Sequence, residues 1–206
     1  MKHQLICNVC GRKFQEFVQM DTCLDCVKHP ISTVTIRTGE ALWQSVAPAA
    51  ARCQDDGRKP GIHTIYNDPK AYCYPKIGLW IVGPARVGKT WLAYRCLRTF
   101  ARIGLSIKVL KTAELNGATE TVESLRDLKT VGALLVDDFD KALFNERNTQ
   151  LLFAIIDARG EAGLRTIITA NRQMMKVPEL LPPALQRFSD SFVGRFQEQY
   201  KEVIYK

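Results

Sequence analysis

One short segment, residues 83–90 with the sequence GPARVGKT, limits the possible folds of this chain more than any other. It matches the pattern G-x-x-x-x-G-K-[ST], follows the apolar run Leu79–Val82 and leads into an amphipathic segment at 89–103. Glycines let the main chain approach a phosphate closely, and the amides at a helix start attract an anion. The segment therefore predicts a strand, a phosphate-binding loop and a helix. The predicted nucleotide-binding residues are Gly83, Pro84, Ala85, Arg86, Val87, Gly88, Lys89 and Thr90.

Two side chains of this loop are predicted to have specific roles. The ammonium group of Lys89 is suited to bridge the β- and γ-phosphates of a nucleotide, and the hydroxyl of Thr90 is suited to ligate Mg²⁺. The alternative is a glycine-rich turn that precedes a helix by chance. The agreement of strand, motif and helix favours the phosphate-binding interpretation.

Polar residues follow two later apolar runs. The run from Ala133 ends in Asp137 and Asp138, and the run from Ile167 leads into Asn171. Ligands bind at the carboxyl ends of strands in parallel sheets. We therefore expect Asp137 to hold Mg²⁺, Asp138 to polarise an attacking water, and Asn171 to contact the γ-phosphate. The alternatives are an acidic turn, with Asp140 as a third solvated carboxylate, and an ordinary turn asparagine.

The pattern from Ile77 onward is regular. Five short apolar runs alternate with four helical patterns, which predicts βα units and a mostly parallel sheet. We assign residues 76–206 to this α/β domain and residues 31–75 to a linker that wraps onto it. Within the linker, residues 34–36 are a candidate strand and residues 39–52 are partly helical. Arg95, Arg98 and Arg102 recur at helical spacing and are candidate DNA contacts, or simply a solvated face.

Four of the seven cysteines form two pairs near the amino terminus, Cys7 with Cys10 and Cys23 with Cys26. Two CxxC pairs supply four thiolates, which close a tetrahedral Zn²⁺ shell without an open position for chemistry. We therefore predict a structural zinc module over residues 1–30, whose folding energy comes from the metal. A redox dithiol and unrelated cysteines are the alternatives.

Composition narrows the class of protein. The chain has 206 residues, of which 46% are hydrophobic and 24% are charged. It contains no apolar run near the roughly 20 residues that a membrane helix needs, and no signal-peptide pattern begins it. We expect a cytoplasmic protein without a membrane partner. The net charge of +8 is compatible with a nucleic-acid partner.

Several segments together carry a family resemblance. The phosphate loop, LLVDDFD, LLFAIIDARGEAGLRTIITAN and QRFSDSFVGRF resemble the AAA+ ATPases, and more narrowly the DnaC/DnaI-type helicase loaders and their IstB-type relatives. The resemblance covers about residues 76–200. It implies a parallel sheet of order 5-1-4-3-2, ATP with Mg²⁺, and homo-oligomers with ATP at the subunit joints. The resemblance also implies that Lys89, Thr90, Asp137 and Asp138 take the Walker roles and that Asn171 is sensor 1.

The resemblance also implies an arginine finger that acts on a neighbouring subunit. Arg195 aligns best with it, and Arg187 is the second candidate. Two departures from the family pattern affect the expected activity. The acidic pair is Asp-Asp where many members have Asp-Glu, so hydrolysis is expected to be slow. Only about ten residues follow Arg195, so we expect no carboxyl-terminal lid.

Three functions remain open. The first is an ATP-dependent helicase loader in DNA replication, whose zinc module binds a hexameric replicative helicase and whose ATPase engages single-stranded DNA. Its small size and missing lid suit a phage or mobile-element version. The second is an IstB-type transposition regulator, against which the zinc module counts. The third is a nucleotide-gated adaptor with negligible turnover.

Overall fold

The computed structural model describes residues 3–6, 13–16, 33–52, 65, 68–69, 76–115, 122–142 and 144–204. The four paired cysteines at positions 7, 10, 23 and 26 lie outside these ranges, so the zinc module stays a prediction. In the described part of the chain, no group of three or more His, Cys, Asp or Glu side chains is arranged to hold a metal ion. None of the described helices has the length and apolar character that a membrane span requires.

The amino-terminal region contains a small antiparallel hairpin. Strand β1 spans His3–Ile6 and strand β2 spans Lys13–Glu16, with Ile6 opposite Lys13 and His3 opposite Glu16. The segment between the two strands carries Cys7 and Cys10 in the sequence.

A five-stranded parallel sheet organises the remainder of the chain. Its strands are β3 (Gly78–Val82), β4 (Ile107–Lys111), β5 (Ala133–Asp137), β6 (Arg165–Ala170) and β7 (Tyr200–Ile204). They lie in the order β4-β5-β6-β3-β7, and all neighbours are parallel. Numbered from β3 as strand 1 and followed from β7, this is 5-1-4-3-2, the order that the family resemblance implies.

Helices precede the sheet and connect its strands. The α-helices are α1 (Thr33–Val46), α2 (Ala49–Arg52), α3 (Lys89–Arg102), α4 (Val122–Thr130), α5 (Glu146–Glu161) and α6 (Ser189–Gln199). Short 3₁₀ helices span Thr112–Leu115, Phe139–Lys141, Met174–Leu180 and Pro183–Phe188. Helix α5 begins where the side chain of Asn145 accepts a hydrogen bond of 2.8 Å from the Asn148 amide, a common N-cap.

The sheet is covered on both faces, as its wholly buried central strands require. Side chains of β3 alternate: Trp80 packs with Phe139 and Phe196 on one face, whereas Ile81 packs with Leu92 on the other. Helices α4, α5 and α6 contribute to the first core, and α1 and α3 contribute to the second. This three-layer arrangement places the loops after the strands along one edge of the sheet.

The predicted strand at residues 34–36 is wrong, because this stretch lies within helix α1. Helix α1 packs along α3, and the buried Trp43 donates a hydrogen bond of 2.8 Å from Nε1 to the carbonyl oxygen of Tyr94. Burial of one face of α1 outweighs the weak strand preference of Val34 and Ile36. The segment that the sequence indicated as a linker therefore supplies part of the domain's core.

The packing of α1 against α3 also bears on the arginines that the sequence analysis named as candidate DNA contacts. Arg95 is only 8% exposed, and Arg98 donates from Nη2 and Nε to the Glu40 carboxylate at 2.7–3.0 Å. The Arg98 guanidinium also lies 4.9 Å from the ring centre of Trp43, within cation–π range. Arg95 is thus largely buried and Arg98 binds α1, so these two side chains do not form an open surface for DNA.

Gly39 permits the close contact between α1 and α3. A Cβ atom at Gly39 would lie 2.0 Å from the carbonyl oxygen of Ala101, which is main chain and has little room to shift. We expect Gly39→Ala to lower the free energy of unfolding by about 1–3 kcal/mol. Gly194→Ala is the matched control, because a Cβ there meets nothing within 4 Å in helix α6. It should raise stability by about 0.5–1 kcal/mol in the same urea titration. Equal effects of the two substitutions would contradict the packing described.

Candidate nucleotide-binding site

The predicted phosphate loop connects the carboxyl end of β3 to the amino end of α3. Gly88 immediately precedes α3 with φ of 102°, a conformation that other residues rarely adopt, and its carbonyl accepts from the Leu92 amide at 3.0 Å. The first amides of an α-helix have no acceptor within it, and glycine has no side chain to cap them. These amides are therefore available to an anion at this edge of the sheet.

Lys89 points back into this loop. It is 6% exposed, and its Nζ donates to the carbonyl oxygens of Gly83 at 2.8 Å and Pro84 at 2.7 Å, and to Oδ1 of Asn171 at 2.9 Å. Burial lowers the pKa of Lys89, an effect that the nearby carboxylates of Asp138 and Asp140 oppose. The ammonium group of Lys89 is thus surrounded by three oxygen atoms within the loop. Phosphate oxygens can accept hydrogen bonds from this group in the same way.

Thr90 and Asp137 meet across the sheet edge. The Thr90 hydroxyl donates to Oδ1 of Asp137 at 3.0 Å, and Thr169 on the neighbouring strand β6 donates to the same oxygen at 2.6 Å. Asp137 is 7% exposed at the end of β5. A buried carboxylate beside a hydroxyl is a set of hard oxygen donors of the kind that Mg²⁺ prefers. These residues therefore fit the metal that the sequence predicts.

Asp138 begins the tight turn after β5. It has φ of 56° in the left-handed region, its amide donates to Thr169 Oγ1 at 2.8 Å, and its carbonyl accepts from Thr112 Oγ1 at 2.5 Å. Oδ2 of Asp138 accepts from Nζ of Lys141 at 2.7 Å. Both side chains of this ion pair are partly exposed, and such pairs contribute only about 0–1 kcal/mol.

Asn171 is anchored by a carboxylate that the sequence left as a possible solvated turn residue. The main-chain amide of Asn171 donates to Oδ1 of Asp140 at 3.1 Å, and the side-chain Nδ2 of Asn171 donates to Oδ2 of Asp140 at 2.9 Å. With both donors engaged, Asn171 presents its side-chain oxygen to Lys89. Asp140 therefore orients Asn171 rather than only facing solvent.

A cleft of about 470 Å³ is lined by Lys89, Thr90, Asp138 and Asn171. Arg86 and Lys141 also line it. The structure thus brings Lys89, Thr90, Asp137, Asp138 and Asn171 together as the sequence predicts, whereas their chemical roles stay predictions. The walls also include Pro48 and Ala51, from the region that the sequence indicated as a linker.

Five residues at this site were not predicted from the sequence. Thr169 was detectable in principle, because alternation along a strand places it on the same side as Asn171 two residues later. Lys141 lies within one turn of Asp138, but lysine in an exposed turn has no distinctive pattern. Pro48, Ala51 and Thr112 reach the site only through tertiary packing, which no local pattern indicates.

Arg195, the first arginine-finger candidate, does not line this cleft. Arg195 lies on α6 and donates to Oδ1 of Asp157 on α5, an ion pair on the surface. Helix α6 leads directly into the amino end of β7, whereas the phosphate loop follows the carboxyl end of the parallel strand β3. Arg195 therefore lies toward the opposite edge of the sheet. Arg187 belongs to the 3₁₀ helix Pro183–Phe188, and its side chain is outside the described part of the structure.

Solved replication proteins share this fold. DnaI superposes with a TM-score of 0.61 at 21% identity, over 78% of this chain and 92% of that chain. The DnaC helicase loader gives 0.53 at 18%, over 85% and 100% respectively. The initiator DnaA, bound to AMPPCP and single-stranded DNA, gives 0.55 at 18%, over 75% of this chain and 47% of its own. No protein-family model and no curated protein sequence matches the chain.

Proposed function

We propose that this chain binds ATP with Mg²⁺ in the cleft and hydrolyses it slowly. Two contacts at the sheet edge carry the proposal. Lys89 donates to the carbonyl oxygen of Gly83 inside the loop, and Thr90 donates to the Asp137 carboxylate at 3.0 Å. Ammonium and loop amides suit the phosphates, and the hydroxyl and carboxylate suit the metal. AMPPCP, an ATP analogue, is bound to the DnaA structure that shares the fold, which supports the choice of nucleotide.

The proposed hydrolysis uses three side chains. Asp138 accepts a proton from the attacking water, whose oxygen bonds to the γ-phosphorus while the bond to the β–γ bridging oxygen breaks. Lys89 stabilises negative charge on the β- and γ-phosphates, and Asn171 orients the γ-phosphate and the water. A bound Mg²⁺ would neutralise phosphate charge at Thr90 and Asp137. The short reach of the Asp138 carboxylate favours slow turnover.

The proposed role is that of a replicative helicase loader. The fold is shared with DnaI and with the DnaC helicase loader, and the DnaA structure contains single-stranded DNA. We infer that the ATP state forms homo-oligomers in which Arg195, or Arg187, completes a neighbour's site. That assignment agrees with the position of Arg195 outside its own cleft. The amino-terminal hairpin, with the predicted zinc module of Cys7, Cys10, Cys23 and Cys26, would engage the helicase.

A nucleotide-gated adaptor is the second candidate. The observation that favours it is again Asp138, whose carboxylate accepts a hydrogen bond from Lys141. An adaptor would bind ATP and change its partner affinity without measurable turnover. Hydrolysis assays with purified protein separate the two, because a loader should turn over faster when helicase and single-stranded DNA are present.

The loader proposal is tested with the full chain and the hexameric replicative helicase of the same source. We expect the two proteins to co-elute in size-exclusion chromatography with ATP and Mg²⁺, and ATP hydrolysis to rise when single-stranded DNA is added. Duplex DNA of equal length is the control for the DNA. Binding of ATP without a helicase complex and without stimulation by single-stranded DNA would reject the loader role while leaving the nucleotide site intact.

A further inference from the structure

We propose that Lys141 binds the terminal phosphate of the nucleotide and thereby distinguishes ATP from ADP. In this proposal, which rests on the proposed ATP site, Lys141 exchanges its contact with Asp138 for the γ-phosphate when ATP binds. The exchange leaves the Asp138 carboxylate free to accept the proton of the attacking water. Lys141 would then be a second phosphate-binding cation in the cleft besides Lys89.

The position of Lys141 is the first support. It ends the 3₁₀ helix Phe139–Lys141, which follows directly from the turn of Asp138, and it lines the same cleft as Lys89 and Asn171. Its Nζ lies 2.7 Å from Oδ2 of Asp138, the carboxylate proposed to activate water. A cation at this distance from the proposed general base is also near the position that a γ-phosphate must occupy.

The charge interactions of Lys141 also support a position close to the proposed phosphate site. Burial is the main cause of the lowered pKa of Lys89, and the positive charge of Lys141 lowers that pKa further, so Lys141 is close enough to act on the proposed phosphate-binding lysine. The hydrogen bond to Asp138 raises the pKa of Lys141, which keeps it charged at neutral pH. Two ammonium groups that line the same cleft repel one another, and a triphosphate bound between them replaces that repulsion with attraction to both.

The contact with Asp138 is suited to exchange. The Lys141 side chain is 57% exposed and that of Asp138 is 34% exposed, so water screens the pair. Lysine ends in a flexible four-carbon stem with three donors, which can reach a new acceptor without movement of the main chain. A phosphate that carries more charge and more oxygens is the stronger acceptor. Lys141 should therefore move to the γ-phosphate, and it has no such acceptor in ADP.

The test compares ATP and ADP affinities by calorimetry in Lys141→Met, which removes the charge and keeps the length. We expect the ratio of ADP to ATP dissociation constants to fall roughly tenfold, the effect of about 1.4 kcal/mol. Lys141→Arg, which retains the charge, should preserve most of the preference. Lys108→Met is the matched control, because Lys108 on β4 forms an exposed ion pair with Asp127 on α4, outside the cleft lining.

An indirect effect is separated by repeating the substitution in an Asp138→Asn background. If Lys141 contacts the phosphate, Lys141→Met lowers the ATP preference there as well. If it only neutralises Asp138, the effect vanishes in that background and the proposal is overturned. An unchanged ratio in the single variant overturns it too. The thermal unfolding midpoint, measured with and without each nucleotide, gives a second readout and verifies that every variant folds.

The result for the unmodified protein separates this proposal from the one on which it rests. If the folded protein binds neither nucleotide, the ATP site itself is rejected. If it binds both and Lys141→Met keeps the same preference, only the role of Lys141 is rejected.

Discussion

Substitution of Lys89 by alanine should weaken ATP binding by at least about a hundredfold. The Lys89 ammonium is buried, lies within the loop and donates to three oxygens at 2.7–2.9 Å, so it is already oriented toward the phosphate position. A hydrogen bond to a charged group contributes about 1.5–3 kcal/mol, and two phosphate contacts therefore account for roughly two or more powers of ten.

The measurement is titration calorimetry with ATP and Mg²⁺ on the variant and on Lys108→Ala. Lys108 lies outside the cleft lining, so its variant should bind ATP like the unmodified protein. Because alanine leaves the carbonyls of Gly83 and Pro84 without this donor, the unfolding transition is recorded without nucleotide as well. Near-normal ATP affinity in a folded Lys89→Ala protein would refute the assignment of the phosphate loop.

Substitution of Asp138 by asparagine should preserve ATP binding and slow hydrolysis by roughly 10²–10⁴-fold. General base catalysis contributes a factor of this size, and asparagine has the same shape without a proton-accepting carboxylate. The turn itself should survive, because the contacts to Thr169 and Thr112 use the main chain of Asp138. Asparagine also tolerates the left-handed conformation that this position adopts.

Single-turnover hydrolysis with radiolabelled ATP, at saturating protein, measures this effect apart from binding. Asp127→Asn is the control, because that carboxylate pairs with Lys108 outside the cleft lining. Full hydrolysis by Asp138→Asn would remove Asp138 from the proposed mechanism and direct attention to Asp140. Tight ATP binding with negligible turnover even in the unmodified protein would favour the adaptor.

The sequence predicted the parts of this site that depend on local order. A strand, a glycine-rich loop and a helix must follow one another for Lys89 and Thr90 to meet a phosphate, and β3, the loop and α3 do so. The end of β5 likewise determines the position of Asp137. Alternation of strands and helices predicted the parallel sheet, whereas its strand order came from the family resemblance and not from periodicity.

The parts that the sequence did not predict depend on contacts between distant segments. Residues 34–36 have β-branched side chains that favour a strand locally, yet they belong to α1, whose Trp43 is buried against α3. Pro48 and Ala51 reach the cleft through the same packing. Asp140 and Lys141 are ordinary turn residues in the sequence, and only their distances to Asn171 and Asp138 give them a role.

The central claim is that the carboxyl edge of the parallel sheet binds a nucleoside triphosphate. Titration of the purified, folded chain with ATP in the presence of Mg²⁺ tests it most directly. We predict saturable binding with one ATP for each chain, lost on removal of Mg²⁺ or on Lys89→Ala substitution. The absence of any binding heat or unfolding shift with adenine and guanine nucleotides alike would contradict the account.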